Sequence, residues 1–186
     1  MKTSIVKYLL TTLFLVACSG QKQTISAEDK AKLKEMVDAK SIHLEAKWAN
    51  PMATRSMNAI SSAGLLPPGS NAGRIDIMGT ANYLKIKNDS VFAVLPYYGE
   101  RQFGGAYNTQ EVGIQFQGIP KDFEINYNEK KEHYTFEFGI ANAHGEIFNV
   151  NGTLFFNMKT TFYINSTERM TIGYLGDISK LKEGNK

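Results

Sequence analysis

Histidine and carboxylate side chains are the residues of this sequence best suited to bind a metal ion or to transfer protons. Two of the three histidines stand two positions before a glutamate, as His43 with Glu45 and His144 with Glu146, and the third is His133. A metal site needs three or four ligands that converge in space, and these pairs lie on separate segments. We therefore predict no metal site and no other cofactor, and we interpret the histidines as solvated residues of strand faces and turns.

The sequence carries no motif of a known class of active site. It contains no G-x-S-x-G nucleophile motif, no phosphate-binding loop and no zinc-binding helix motif. The glycine-rich segment 99–105 lacks the lysine and the following helix that phosphate binding needs. Catalytic carboxylates are recognised by their separation in space, and nothing in the sequence indicates such a pair. We therefore predict a protein without catalytic residues, with a carboxylate-dependent hydrolase as the least favoured alternative.

An aromatic cluster beside an arginine is the main candidate binding site. Its members are Tyr97, Tyr98, Arg101, Phe103 and Tyr107. Tyrosine combines stacking area with a hydrogen-bonding hydroxyl, so the cluster suits a small-molecule, glycan or protein partner. The structural alternative is that this loop packs on the end of the fold, with its tyrosine hydroxyls capping backbone groups.

Arg169 and Ser90 are candidates for more specific roles. Arg169 precedes a segment with the pattern of a buried strand. We expect it to pair with an acidic residue at the end of the fold, and we keep a role in ligand binding as the alternative. The segment Asp89-Ser90-Val91 resembles the short motif at which Bacteroidetes envelope proteins are O-glycosylated, which implies a modification of Ser90.

The only cysteine predicts where the protein resides. Lys2 and Lys7 precede an apolar run, residues 8–17, that is shorter than the roughly 20 residues of a transmembrane helix. The sequence Leu15-Val16-Ala17-Cys18 resembles a bacterial lipobox, which implies a signal peptide over residues 1–17, cleavage before Cys18 and acylation of its thiol and amine. The alternative is an ordinary signal peptide with an incidental cysteine.

The residues after Cys18 bear on the membrane and the leaflet. Ser19 resembles an outer-membrane sorting signal, and residues 19–23 lack the acidic side chains that surface-exported Bacteroidetes lipoproteins usually carry there. We therefore expect a lipid anchor in the outer membrane, on its periplasmic face. Two or three acyl chains should keep the protein bound to the membrane, because each buried methylene contributes about 0.8 kcal/mol to the free energy of membrane binding.

Composition is consistent with one small domain that does not bind nucleic acid. Loss of residues 1–17 leaves 169 of the 186 residues and lowers the formal net charge from +3 to +1, because Lys2 and Lys7 are removed. No basic block remains, which argues against a nucleic-acid partner. With Cys18 acylated, no disulfide is available, so stability must come from the core.

Hydrophobic periodicity divides the mature chain into four parts. We predict a lipidated tether over 18–25, an N-terminal helix within 26–40, a single β-domain over 41–179 and a polar tail over 180–186. Short alternating segments separated by turns predict about eight to nine strands. The expected fold is mainly β: an antiparallel meander forming a barrel, lipocalin-like in architecture only, or a sandwich, preceded by one α-helix.

Capping and turn residues set the expected boundaries. Ser26 should cap a helix over 27–39 whose thin apolar stripe lies on the domain. Residues 52–70 should form a long ordered loop, a candidate lid, with one helical turn near 56–61. Ten segments are candidates for the eight to nine strands, at 41–49, 74–79, 82–87, 90–95, 112–117, 122–128, 134–140, 146–156, 161–165 and 170–174.

Several segments together resemble a known family. They are Leu95-Pro96-Tyr97-Tyr98-Gly99 after the turn at Asn88-Asp89-Ser90-Val91, then Val112-Gly113-Ile114-Gln115-Phe116, and finally Arg169-Met170-Thr171-Ile172-Gly173-Tyr174-Leu175-Gly176. They are similar to a Bacteroidetes-type lipoprotein family of unknown function (domain of unknown function 4251), and the resemblance covers most of residues 40–178. It implies an envelope location and a mainly-β fold, and it implies no activity.

Two non-enzymatic functions follow from these expectations. The first is an envelope lipoprotein whose β-domain binds a small or glycan ligand or a protein partner. The second is a structural or accessory subunit of an envelope assembly that offers an exposed strand edge. A deep cavity would favour the first function, and a filled interior with a flat apolar patch would favour the second.

Overall fold

The computed structural model describes residues 25–102 and 113–181, which form ten strands and two helices. The helices are α1 (Ala27–Asp38) and α2 (Arg55–Ser62). The strands are β1 (Ser41–Pro51), β2 (Ile75–Asp76), β3 (Tyr83–Lys87), β4 (Ser90–Leu95), β5 (Ile114–Gly118), β6 (Lys121–Asn128), β7 (His133–Ala141), β8 (Ile147–Phe155), β9 (Lys159–Ser166) and β10 (Ile172–Lys180). The predicted mainly-β fold with an N-terminal helix is confirmed.

One antiparallel sheet contains all ten strands. Its order is β5-β4-β3-β1-β10-β9-β8-β7-β6, and the two-residue β2 pairs with β1. The sheet curls into a half-barrel, so that Phe116 on the edge strand β5 packs edge-on against Phe138 on β7, with 6.2 Å between ring centroids. The sequence did not distinguish a barrel from a sandwich. The structure is this curled sheet, with β5 and β6 at its two edges.

Alternate residues of the strands line the concave face and form the core. On β4, for example, Val91, Ala93 and Leu95 are buried while the residues between them are half-buried. The largest fully buried side chains of the described residues include Phe136, Phe148, Phe162 and Tyr174. Burial of each large apolar side chain contributes about 1.5–3 kcal/mol, so this alternation gives the sheet one apolar face that is stabilised when it is enclosed.

Helix α1 lies on the domain by a narrow apolar stripe. Ser26 caps the helix, because its Oγ accepts a hydrogen bond from the backbone N–H of Asp29 at 3.0 Å. Leu33 and Met36 are the buried residues of the helix. The predicted capped helix packed by its narrow face is therefore confirmed.

Exposed ion pairs join α1, and Lys40 just after it, to turns at one end of the half-barrel. Lys30 Nζ lies 2.7 Å from Glu132 Oε1 in the β6–β7 turn, and Lys40 Nζ lies 2.8 Å from Asp89 Oδ1 in the β3–β4 turn. Because the strands are antiparallel, these turns lie at the same end of the sheet. The β4–β5, β7–β8 and β9–β10 connections lie at the opposite end, which we call the rim.

A β-bulge changes the expected facing of β1. The register with β10 shifts between Ala46 and Trp48, so Ala49 is buried in place of Trp48. Trp48 is half-buried, and the Arg74 guanidinium carbon stacks 4.0 Å from the centroid of its ring. The alternation of residues 41–49 predicts Ile42, Leu44, Ala46 and Trp48 on one face. This prediction is wrong after Ala46, because a bulge inserts one residue without changing the local composition.

The expected loop over 52–70 contains a true helix. Helix α2 has eight residues, and Thr54 caps it by accepting a hydrogen bond from the Met57 N–H at 3.2 Å. Met57 is buried and attaches the helix to the core. The predicted single helical turn is therefore too short, because tertiary contacts, including the burial of Met57, stabilise a segment that is weakly helical by itself.

Candidate functional site

The rim brings two distant segments together. The Gln102 N–H donates to the Glu168 carbonyl at 2.7 Å, and the Met170 N–H donates to the Glu100 carbonyl at 3.2 Å. These bonds form a short antiparallel bridge that sets Arg101 opposite Arg169. Two of the predicted site residues are therefore held beside one another by backbone hydrogen bonds.

A buried ion pair lies beneath this bridge. Arg169 Nε donates to Glu146 Oε1 at 2.9 Å and Arg169 Nη2 donates to Glu146 Oε2 at 3.2 Å, in a bidentate arrangement. The Ser166 hydroxyl also donates to Glu146 Oε1. Both charged side chains are 3% exposed. The pairing matches the expectation that Arg169 meets an acidic residue at the end of the fold.

Arg101 is a second guanidinium at the same carboxylate. Its Nη2 lies 3.8 Å from Glu146 Oε2, and its side chain is 31% exposed. The nearby Glu100 carboxylate accepts hydrogen bonds from the Ser56 and Thr54 side chains. These bonds hold the pKa of the Glu100 carboxyl below its usual value. Two guanidiniums therefore share one carboxylate, and Arg101 is the more accessible of them.

The rim tyrosines satisfy backbone groups. The Tyr97 hydroxyl lies 2.9 Å from the Glu100 carbonyl and 3.1 Å from the Met170 carbonyl, and burial raises the pKa of this hydroxyl. The Tyr97 ring also stacks on Arg169, with 5.2 Å between the ring centroid and the guanidinium carbon. Tyr98 is half-buried against the core. Tyr97 therefore takes the structural role foreseen as the alternative to ligand binding.

The predicted site residues have different positions in the structure. Tyr97, Tyr98, Arg101 and Arg169 meet at the rim, as the geometry above describes. Ser90 begins β4 at the end of the half-barrel closed by α1. Three of the residues named from the sequence, Cys18, Phe103 and Tyr107, lie outside the described residues.

Sequence reasoning missed Glu146 and Ser166 as members of the rim. Glu146 was considered only beside His144 and as the first residue of a predicted strand, and its partner Arg169 is 23 positions away on another turn. Ser166 had a weak local signal, since serine often begins a turn. Its Oγ accepts the N–H groups of Glu168 at 3.0 Å and Arg169 at 3.1 Å.

The histidines are separated from one another. His43 packs edge-on against Tyr83, and His133 packs edge-on against Phe155. In the β7–β8 turn, the backbone N–H of His144 donates to the Asn142 side chain at 3.0 Å. Within residues 25–102 and 113–181, no group of three or more His, Cys, Asp or Glu side chains is arranged to hold a metal ion.

No helix in the described part of the chain has the length and hydropathy needed to span a membrane.

Two open grooves lie on the outer face of the sheet. One, of about 530 Å³, runs beside β5 and includes Tyr83, Phe92 and His144 in its lining. The other, of about 380 Å³, crosses β6 to β9 and includes Glu137 and Tyr163. Both grooves are open to solvent, whereas the side chains of the concave face are the buried core residues.

Comparisons with known proteins agree on one family. The family model described as "Domain of unknown function (DUF4251)" matches residues 24–178. A crystal structure of a DUF4251 family protein from Bacteroides eggerthii is similar in fold, with a TM-score of 0.56 and 15% sequence identity, over 86% of this chain and 92% of that chain. No curated protein matches the sequence.

Proposed function

Because this chain belongs to the DUF4251 family, a domain of unknown function, we propose a function from its own residues. In this proposal, the protein is a lipid-anchored envelope protein whose β-domain is a non-catalytic binding module. The module binds, at the rim, a ligand or partner that carries an acidic group. Arg101 is the residue that contacts this group, and Tyr98 borders the contact.

The convergence of two guanidiniums on one buried carboxylate carries this proposal. Arg169 already makes a bidentate pair with Glu146, so the carboxylate has little capacity left for Arg101 at 3.8 Å. An acidic group from outside would give Arg101 a closer, charge-assisted partner. The backbone bridge and the Tyr97 hydrogen bonds order the rim before a ligand binds. Binding therefore loses less conformational entropy, which favours the complex.

Helix α1, which the proposed tether precedes, and the rim lie at opposite ends of the domain. The tether of residues 18–25 leads into α1, whose first turns contact the β6–β7 turn through Lys30 and Glu132. Eight extended residues span at most about 27 Å, so the end closed by α1 stays close to the lipid. The rim then faces away from the membrane, where a partner has access to it.

Binding at the rim is tested with an acidic oligosaccharide, oligogalacturonate, added to the mature protein in detergent. We expect Arg101→Gln to weaken its affinity about tenfold or more, because a charge-assisted hydrogen bond is lost. Lys34→Gln removes the same charge from the exposed face of α1 and should leave the affinity unchanged. No binding by the wild type, or equal loss in the two variants, would contradict the proposed site.

The anchor is tested by changing Cys18. We expect the wild-type protein to fractionate with outer membranes and to carry acyl mass, and we expect Cys18→Ala to be recovered without either property. Accessibility of the protein to protease in intact and in permeabilised cells reports the leaflet. Membrane association that survives in Cys18→Ala would overturn the anchor.

The accessory-subunit alternative has one supporting observation. The strand β5 (Ile114–Gly118) pairs with β4 along one side, and the groove of about 530 Å³ lies beside it. An extended segment of a partner protein is able to pair with such an edge. A photo-crosslinker in place of Gln117 should then join the chain to one envelope protein, whereas a crosslinker in place of Lys34 should not.

A further inference from the structure

A row of exposed side chains crosses the convex face of β6 to β9. Directly opposite residues on successive strands form it: Tyr163 faces Asn151, Asn151 faces Glu137, and Glu137 faces Glu124. Beside it runs a second row of Thr153, Thr135 and Asn126. Three strand spacings of about 4.8 Å give the first row a length of about 14 Å, which suits a short oligosaccharide.

Tyr163 supplies an aromatic surface at one end of this row. A Cβ placed on Gly173 would lie 2.9 Å and 3.1 Å from two carbons of the Tyr163 ring, so the ring occupies the space left by the glycine on β10. The ring therefore leans over the neighbouring strand, and the residue is still 48% exposed. A supported aromatic ring with a free surface is suited to packing against the apolar face of a sugar.

The polar side chains of the groove fit a ligand rich in hydroxyl groups. The amides of Asn126 and Asn151 both donate and accept, and the hydroxyls of Thr135 and Thr153 do the same. Glu124 and Glu137 add acceptors. The lining of this groove of about 380 Å³ contains neither lysine nor arginine, so its charge disfavours phosphate and acidic ligands.

The arrangement of charge argues against a merely solvated face. Glu124 and Glu137 are exposed carboxylates that stand directly opposite one another, which destabilises a sheet. On β10 of the same face, Asp177 instead pairs with both Lys47 and Lys159. Local features that oppose stability are expected at functional sites, and this pair lies in the groove.

We propose that this convex groove is a binding site for a neutral glycan chain. One sugar packs on Tyr163, and the hydroxyl groups of the chain exchange hydrogen bonds with Asn151, Glu137 and the threonines of the second row. The site is separate from the rim in position and in ligand charge, and it does not depend on Arg101.

The test is the affinity of the mature protein in detergent for neutral hexasaccharides of glucose, xylose, mannose and N-acetylglucosamine. At least one should bind. Tyr163→Thr should weaken that affinity about threefold to tenfold, whereas Tyr163→Phe keeps the ring and should stay within about twofold. Asn151→Leu should also weaken it, and unchanged circular dichroism spectra would show that these surface variants are folded.

The outcomes separate this proposal from the rim. Binding of a neutral chain that depends on Tyr163 and not on Arg101 supports the convex site, whether or not oligogalacturonate binds at the rim. Three results would overturn it: no neutral chain binds, Tyr163→Thr and Asn151→Leu bind like the wild type, or oligogalacturonate binds at Tyr163 better than every neutral chain.

Discussion

Removal of the buried carboxylate at the rim should destabilise the domain more than removal of its main partner. In Glu146→Leu, the guanidinium of Arg169 stays almost fully buried without its bidentate carboxylate, and Arg101 loses the carboxylate that lies 3.8 Å from its Nη2. In Arg169→Met, the Glu146 carboxylate keeps Arg101 at 3.8 Å and the Ser166 hydroxyl. The two substitutions remove one charge each, but the first takes a carboxylate from two guanidiniums, whereas the second leaves that carboxylate with two of its neighbours.

The magnitude follows from the burial of the pair. Removing one partner of a buried ion pair typically costs about 3–5 kcal/mol. We expect Glu146→Leu near the upper end of that range and Arg169→Met near the lower end. The double variant should lose less than the sum of the two, because an apolar pair leaves no buried charge behind. A domain is stable by only about 5–15 kcal/mol, so each loss is measurable.

Urea unfolding followed by circular dichroism measures these free energies. Lys34→Gln is the control, because it breaks a salt bridge of 2.7 Å to Asp38 in which both side chains are more than 60% exposed. That variant should unfold at the wild-type urea concentration. The melting temperatures of the four variants provide an independent order of stability.

Two results would refute this reasoning. If Glu146→Leu unfolds at the same urea concentration as Lys34→Gln, the rim pair is not buried in solution. If the free energies of the single variants add up in the double variant, Glu146 and Arg169 are not energetically coupled.

Three further predictions concern the core, the pH dependence and a modification. Gly152→Ala should destabilise the protein by about 1–3 kcal/mol, because a Cβ there would lie 2.6 Å from buried aromatic side-chain atoms, whereas Gly139→Ala meets only ordinary contact at 3.5 Å and should be tolerated in the same thermal melt. Burial raises the pKa of Tyr174, whose hydroxyl donates to the Pro96 carbonyl at 2.8 Å. The unfolded chain therefore loses this proton first, so stability should fall as the pH rises above about 10, and the fall should be smaller in Tyr174→Phe. The intact mass of the native protein should decrease by a glycan in Ser90→Ala, and a decrease of one oxygen atom alone would exclude this modification.

Local sequence patterns were sufficient to predict most of the elements. The alternation of apolar and polar residues indicates the strands because neighbouring side chains of a strand face opposite sides of the sheet. Ser26 marks the start of α1 because its hydroxyl satisfies a free backbone N–H. The family was also recognisable from short segments, since residues 24–178 match its model.

The tertiary structure alone decided the composition of the site and the closure of the sheet. The Glu146 and Arg169 side chains meet across 23 positions because the register of β8 and β9 aligns two turns, and single-chain periodicity carries no information about such alignment. The row from Tyr163 to Glu124 depends likewise on three successive ladders. The half-barrel itself follows from the bulge in β1, the twist of the sheet and the helix packed at one end, which are properties of the assembled strands rather than of any segment.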